Sequence, residues 1–214
     1  MVFKTFSAKE ITSVIKLLKT KNSQGCDEIS TKLLKISTAY ICSPLTSIMS
    51  GIFPDHLRFS IIKLIYKKGD RMNPANYRRI LLMTSFSKVF EKTLYVRLTG
   101  YFCSNKLLVG NQFGCRKCEA TEDAIFKLIS EFLNALNNKT MAGIIFCDLE
   151  KALDSVNQNL LLSKLSYYGI SGKGKLLLES FLQNKYQRFQ IISSYINSNR
   201  VSKWTKIKYG VPQG

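Results

Sequence analysis

The stretch Gly143 to Asp154, Gly-Ile-Ile-Phe-Cys-Asp-Leu-Glu-Lys-Ala-Leu-Asp, constrains the fold more than any other part of the chain. Its apolar run, Ile144 to Cys147, suits a buried strand and stops on an acid, Asp148. A buried strand that ends in a carboxylate can hold a metal ligand on a rigid support. Asp148, Glu150 and Asp154 put three carboxylates within seven residues of an otherwise basic chain. Such acids repel one another unless solvent or a divalent cation intervenes, and oxygen-only ligands suit Mg²⁺. The plainer reading is a strand leading into a helix N-terminus, where the helix dipole favours acids anyway. On these residues alone both readings stand.

The rest of the chain points to the partner. It carries 32 Lys and Arg against 14 Asp and Glu, a formal charge of +18. An excess of that size costs compactness through self-repulsion and implies a polyanionic partner. No run approaches the roughly 18 apolar residues of a membrane span, so nucleic acid is expected and a membrane is not. Met1 to Lys16 has no secretory apolar core, which places the chain inside the cell, in nucleus or cytoplasm, with its six Cys reduced. Cys115 and Cys118 are spaced as a zinc half-site, but no second pair is near and His56 is the only His, so zinc is not expected.

Taken in order, Ser7 with Glu10 forms a capping box for a helix carrying Ile11, Val14, Ile15 and Leu18. A second helix is expected over Ser30 to Ala39, and a third opening at Pro44 and ending near Gly51. From Ile61 the period changes to that of a strand, Ile61 to Tyr66, then a Lys67-Lys68-Gly69-Asp70 turn and a second strand, Ile80 to Met83. Lys67, Lys68, Arg78 and Arg79 would suit an ordinary basic hairpin or a phosphate-gripping surface. Helices follow over Ser85 to Phe102 and from Glu119 or Thr121 to Asn137. The second has a stripe, Ala124, Ile125, Leu128, Ile129, Phe132, Leu133 and Leu136, that reads as core. Beyond Asp154, helices are expected over Gln158 to Tyr168 and Lys175 to Gln183. Strands follow over Tyr186 to Ser194 and Val201 to Lys208.

Five stretches occur in one order that resembles a known family. They are Lys67-Lys68-Gly69-Asp70 to Asn76-Tyr77-Arg78; Ser85-Phe86-Ser87-Lys88-Val89-Phe90-Glu91-Lys92; Asn111-Gln112-Phe113-Gly114-Cys115-Arg116; Asp148 to Asp154; and Gly210-Val211-Pro212-Gln213-Gly214. Together they resemble the reverse transcriptase of a non-LTR retrotransposon of the LINE/jockey type. The resemblance implies an α+β fold, a partial right-hand polymerase with fingers and an incomplete palm, helix-rich with short antiparallel strands. With the helices read above it divides the chain into a helical N-terminal region over 1–55, a fingers-like region over 56–140 and part of a palm over 141–214.

It also implies roles. Asp148 would be catalytic, a ligand of both ions of a two-Mg²⁺ site, with the carbonyl of Leu149 helping to hold one ion. Paired metals activate a primer hydroxyl and stabilise the leaving pyrophosphate. Arg78 and Arg116 would contact the incoming triphosphate, which suits the always-charged fork of Arg. Leu153 takes the place under the sugar where the family has Phe or Tyr, and Gln213 would lie near the nucleotide. The expected partners are an RNA template, a DNA primer and deoxynucleotides. Departures are Arg79 where the family has Pro, Cys115 where it has Phe, and Leu153 itself. No Ala-Asp-Asp, the family's second carboxylate motif, occurs in these residues. One Asp cannot hold two Mg²⁺ ions, so the resemblance implies a polymerase segment inactive by itself. The alternative is a basic nucleic-acid-binding remnant without chemistry.

Overall fold

A computed structural model describes residues 4–20, 24–116, 119–149, 152–193 and 198–211. The chain forms two compact units, one of residues 1–97 with 151–214 and one of residues 98–150.

The first unit begins with three helices, α1 (Ala8–Leu17), α2 (Thr31–Ile36) and α3 (Thr38–Met49), which pack on one another. Ser7 caps α1 by accepting the Glu10 amide at 3.2 Å, but Glu10 does not close the box. Its carboxylate goes to Arg97 at 2.7 Å, a stronger partner than a backbone amide. Pro44 lies inside α3 rather than opening it, because the helix is already running from Thr38.

The sheet is built from β1 (Phe59–Tyr66), β2 (Tyr77–Met83), β3 (Tyr186–Ser193), β4 (Ser198–Val201) and β5 (Thr205–Lys206), in the order β2-β1-β3-β4 with β5 also on β3. β2, β4 and β5 pair antiparallel. The β1–β3 pair is parallel, a departure from the all-antiparallel expectation. These two strands lie more than a hundred residues apart, so no hairpin dictates their direction. Ile61 and Ile62 face opposite sides of β1 and both are buried, so its centre is covered on both faces. Phe53 packs edge-on against Phe90 and Phe181, with ring centroids 4.9 and 5.2 Å away. α6 (Gln158–Tyr167) and α7 (Gly172–Leu182) pack together.

The Ser-Phe-Ser stretch has a structural task. α4 (Ser85–Ser104) starts at Thr84, whose Oγ1 accepts the Ser87 amide and donates to the Ser87 hydroxyl at 2.8 Å. Ser85 Oγ donates to the Ile29 carbonyl at 2.7 Å, and Ser87 Oγ to that of Leu57 at 2.9 Å. Gly25 lies so close that a Cβ there would meet the Thr84 backbone at 2.7 Å.

In the second unit, α5 (Thr121–Asn137) is the long helix its periodicity implies, with Asp123 Oδ2 accepting the Ala120 amide at 2.7 Å. Its apolar stripe is not core: none of its residues is buried. Periodicity specifies a face that can be covered, and the described residues of this unit form no sheet and too little other helix to cover it. The same reason corrects the central strand. Residues 141–149 are unpaired and exposed, with Ile145 at 89% and Phe146 at 84% exposure. A strand needs a neighbouring edge for its amides and carbonyls, and no described strand pairs with this run.

Candidate nucleotide-binding site

The site forms on one face of the sheet. On β1 and β2, Ser60, Ile62 and Leu64 lie opposite Met83, Leu81 and Arg79, and period-two alternation puts them on one side. Gln187 and Phe189 of β3 join that side by their pairing with Ser60 and Ile62. Arg78, one residue along, points to the other face and is exposed.

Against this face lies the turn of residues 152–155, which follows the acidic stretch. Asn157 caps α6, its Oδ1 accepting the amides of Asn159 and Leu160 at 3.0 and 3.1 Å. That sets Gln158 at the first helical position, buried, where Nε2 donates to the Gly210 carbonyl at 3.0 Å. The Gly210 amide donates to the Val156 carbonyl at 2.8 Å and the Val211 amide to the Leu153 carbonyl at 3.0 Å. Gly210 has φ +91, and a Cβ there would meet the Asp154 carbonyl oxygen at 3.0 Å, so glycine is required on both counts. Three hydrogen bonds thus clamp the Gly-Val loop to the turn beside Leu153 and Asp154. Arg79 closes the arrangement, 4.0 Å from Asp154 Oδ2 and with its guanidinium 6.0 Å from the Phe189 ring centre.

Beside the clamp is a recess of about 200 Å³ whose lining includes Arg58, Arg79, Asp154, Gln158, Lys185 and Gln187. Arg58 is buried and uses four of its five donors. Its Nε donates to Asp55 at 2.6 Å, Nη1 to the Ser180 and Gln183 carbonyls at 2.6 and 2.7 Å, and Nη2 to the Phe53 carbonyl at 3.1 Å. Lys185 is only 8% exposed, with Nζ 3.8 and 4.3 Å from the ring centres of Phe53 and Phe181. Burial, reinforced by the Arg58 charge and opposed by Glu91, lowers its pKa to about 7. Burial in turn raises the Glu91 pKa, against the pull of Lys185, Lys88 and Lys92.

The other anticipated residues are placed as follows. Leu153 lies in the clamped turn, half exposed. Arg116, in the second unit, pairs with Glu119 at 3.6 Å and donates from Nη1 to the Val109 and Gln112 carbonyls at 3.2 and 3.3 Å. Asp148 and Leu149 are exposed on the unpaired segment. Gln213 and Glu150 lie outside the described residues. Among the described residues no three His, Cys, Asp or Glu side chains gather as a metal site. One carboxylate and one carbonyl fall well short of the roughly six oxygens that each Mg²⁺ requires. The described residues therefore do not fit a two-metal centre. Sequence reasoning missed Lys185, Arg58 and Gln158, which lie in unremarkable polar surroundings. Only the Asp55–Arg58 spacing carried a signal, that of an i,i+3 ion pair.

The turn that carries Asp154 is thus clamped to the Gly-Val loop on the sheet face that bears Arg79. A sequence profile of the family described as reverse transcriptase (RNA-dependent DNA polymerase) matches residues 65–214, and the chain belongs to that family. It is 29% identical over 223 residues to the probable RNA-directed DNA polymerase from transposon BS of Drosophila melanogaster, covering 99% of this chain and 23% of that protein. It is 27% identical over 221 residues to the probable RNA-directed DNA polymerase from transposon X-element of the same fly, covering 98% and 23%. Against the RNA-directed DNA polymerase from mobile element jockey of Drosophila funebris, identity is 26% over 220 residues, covering 96% and 22%. These relatives are polymerases of non-LTR retrotransposons, and the chain spans less than a quarter of their length. The family implies a nucleic-acid template and nucleotide substrates. Among the described residues no helix is long and apolar enough to cross a membrane.

Proposed function

We propose that this chain provides the fingers and upper palm of a right-hand polymerase that copies RNA into DNA during retrotransposition. In this reading residues 1–55 are a helical N-terminal region, 56–140 the fingers and 141–214 part of the palm. The observation that carries it is the clamp. A turn next to the acidic motif and a Gly-Val loop, bonded across 52 residues by Gln158, meet on the sheet that bears Arg78 and Arg79.

The residues here position the substrate. The family resemblance assigns Arg78 and Arg116 to the incoming triphosphate, Leu153 to its sugar and Gln213 to its base, with Arg78 on the sheet face away from the clamp. Asp148 and the Leu149 carbonyl supply part of a magnesium site that the described residues do not complete. The partners are an RNA template, a DNA primer and deoxynucleotides, in the nucleus or cytoplasm.

The test is a chimaera in which this chain replaces the matching segment of the transposon BS polymerase, assayed for copying poly(rA) from an oligo(dT) primer. Extension above that of a chimaera lacking the segment supports the reading. Tight template–primer binding without extension would favour a basic nucleic-acid-binding protein with no chemistry.

A further inference from the structure

The recess beside the clamp holds a buried cation that the polymerase reading leaves unused. Lys185 Nζ lies between Phe53 and Phe181 and has no hydrogen-bond partner among the described residues, although an ammonium carries three donors. Aromatic faces attract a cation but accept no conventional hydrogen bond. The Arg58 guanidinium adds positive charge next to it, and four of its five donors are spent on Asp55 and backbone carbonyls. Folded proteins normally pair a buried cation with an anion. The acid whose charge favours the Lys185 proton, Glu91, forms no ion pair with it among the described residues, and burial raises the Glu91 pKa.

Two further donors line the same recess. The Gln187 side-chain amide has no partner among the described residues, and Arg79 commits one amine to Asp154 at 4.0 Å. Among the described residues Asp154 is the only acid in the lining; it repels an anion, an effect that its pairing with Arg79 reduces. A volume of about 200 Å³ equals that of roughly six or seven waters. It is below the roughly 300 Å³ at which pockets that enclose whole small-molecule ligands begin, and it suits a small anion.

We propose that this recess binds a phosphate-sized oxyanion through Lys185, Gln187 and Arg79, with Arg58 supplying charge from behind. Neither Arg78 nor Arg116 takes part, and the site stands whether or not the chain polymerises. The oxyanion is either free phosphate or a phosphodiester of a nucleic-acid backbone, which present the same oxygens to these donors.

The experiment measures thermal unfolding of the 214-residue chain near neutral pH in sodium phosphate and in sodium chloride of matched ionic strength, with phosphorus NMR line broadening as a second readout. The expected result is a saturable phosphate-specific rise in Tm. Lys185→Met should abolish it, Lys9→Ala should leave it intact, and Gln187→Leu should weaken the affinity roughly ten-fold, the loss of one hydrogen bond to an ion. Should Lys185→Met fail to fold, Gln187→Leu decides, since it leaves the buried amine in place. A thymidine dinucleotide with a single internal phosphodiester distinguishes the sources. Competition with phosphate assigns the site to a nucleic-acid backbone, and absence of competition assigns it to the free ion. A phosphate response no larger than that of chloride, or one unchanged in Gln187→Leu and in any folded Lys185→Met, overturns the proposal.

Discussion

Replacing Lys185 by Met should stabilise the protein at neutral pH, although it deletes two cation–π contacts. Met has a similar unbranched shape and a thioether that packs well against Phe53 and Phe181. The pKa of Lys185 falls from 10.5 to about 7 on folding. At about 1.36 kcal/mol per pH unit, holding the proton in the folded state costs on the order of 5 kcal/mol at most. Two cation–π contacts return roughly 0.5–2 kcal/mol each, leaving a net gain of roughly 1–4 kcal/mol for Met. The pH dependence carries its own signature. Between about pH 7 and 10.5 the unfolded chain keeps the Lys185 proton that the folded chain releases, so wild-type stability climbs with pH. The cost is fully present below about pH 7 and gone above 10.5. The advantage of the variant should therefore be largest at and below neutrality and shrink on the alkaline side. Urea unfolding followed by circular dichroism, on both proteins from about pH 6 to about pH 9, measures this difference and cancels other titrating groups. A variant less stable than wild type at neutral pH, or a gap that does not change with pH, would refute the reasoning.

Other outcomes follow from the site. Gly210→Ala places a side chain at φ +91 and against the Asp154 carbonyl oxygen, and should cost roughly 1–3 kcal/mol in urea unfolding; an unchanged midpoint would contradict the clamp. A charge of +18 should give weakly sequence-specific binding to RNA or DNA whose Kd rises steeply with salt, and a flat salt profile would rule out the electrostatic account. Arg78→Ala and Arg116→Ala should each weaken nucleotide triphosphate binding more than Lys9→Ala, as read by fluorescence titration. In the chimaera, Leu153→Phe should restore a bulkier floor under the sugar and lower incorporation of ribonucleotides relative to deoxynucleotides.

Most helices and strands of the first unit were legible because local signals and tertiary context agree there, but the helix expected over Ser30 to Ala39 ends at Ile36 and the strand expected over Val201 to Lys208 is split between β4 and β5. The apolar run over Ile61 to Tyr66, the turn at Gly69 and the Ser7 cap all fold as their residues prescribe. Where burial depends on distant partners, the sequence shows only a capacity. The α5 stripe and Ile144 to Cys147 are apolar enough for a core, yet both are exposed because no described element covers them. The parallel β1–β3 pairing was invisible because neither strand encodes the direction of a partner so far along the chain. Of the site, the motifs around Asp154 and Gly210 were readable, but their contact was not. Arg79 read as the loss of a rigid Pro, and only the fold shows it meeting Asp154. Lys185 looks like any surface lysine until Phe53, Phe181 and Arg58 close around it.

The central claim is that these residues serve nucleotidyl transfer through Asp148, which needs further carboxylates to act. Primer extension on poly(rA)–oligo(dT) in Mg²⁺ tests it, comparing the chain alone, the chimaera and the chimaera with Asp148→Ala. The account predicts extension by the chimaera only, and its loss in Asp148→Ala with template–primer affinity retained. Extension by the chain alone that disappears in Asp148→Ala would show that the ligand count is wrong, and extension by the chimaera that survives Asp148→Ala would contradict the claim outright.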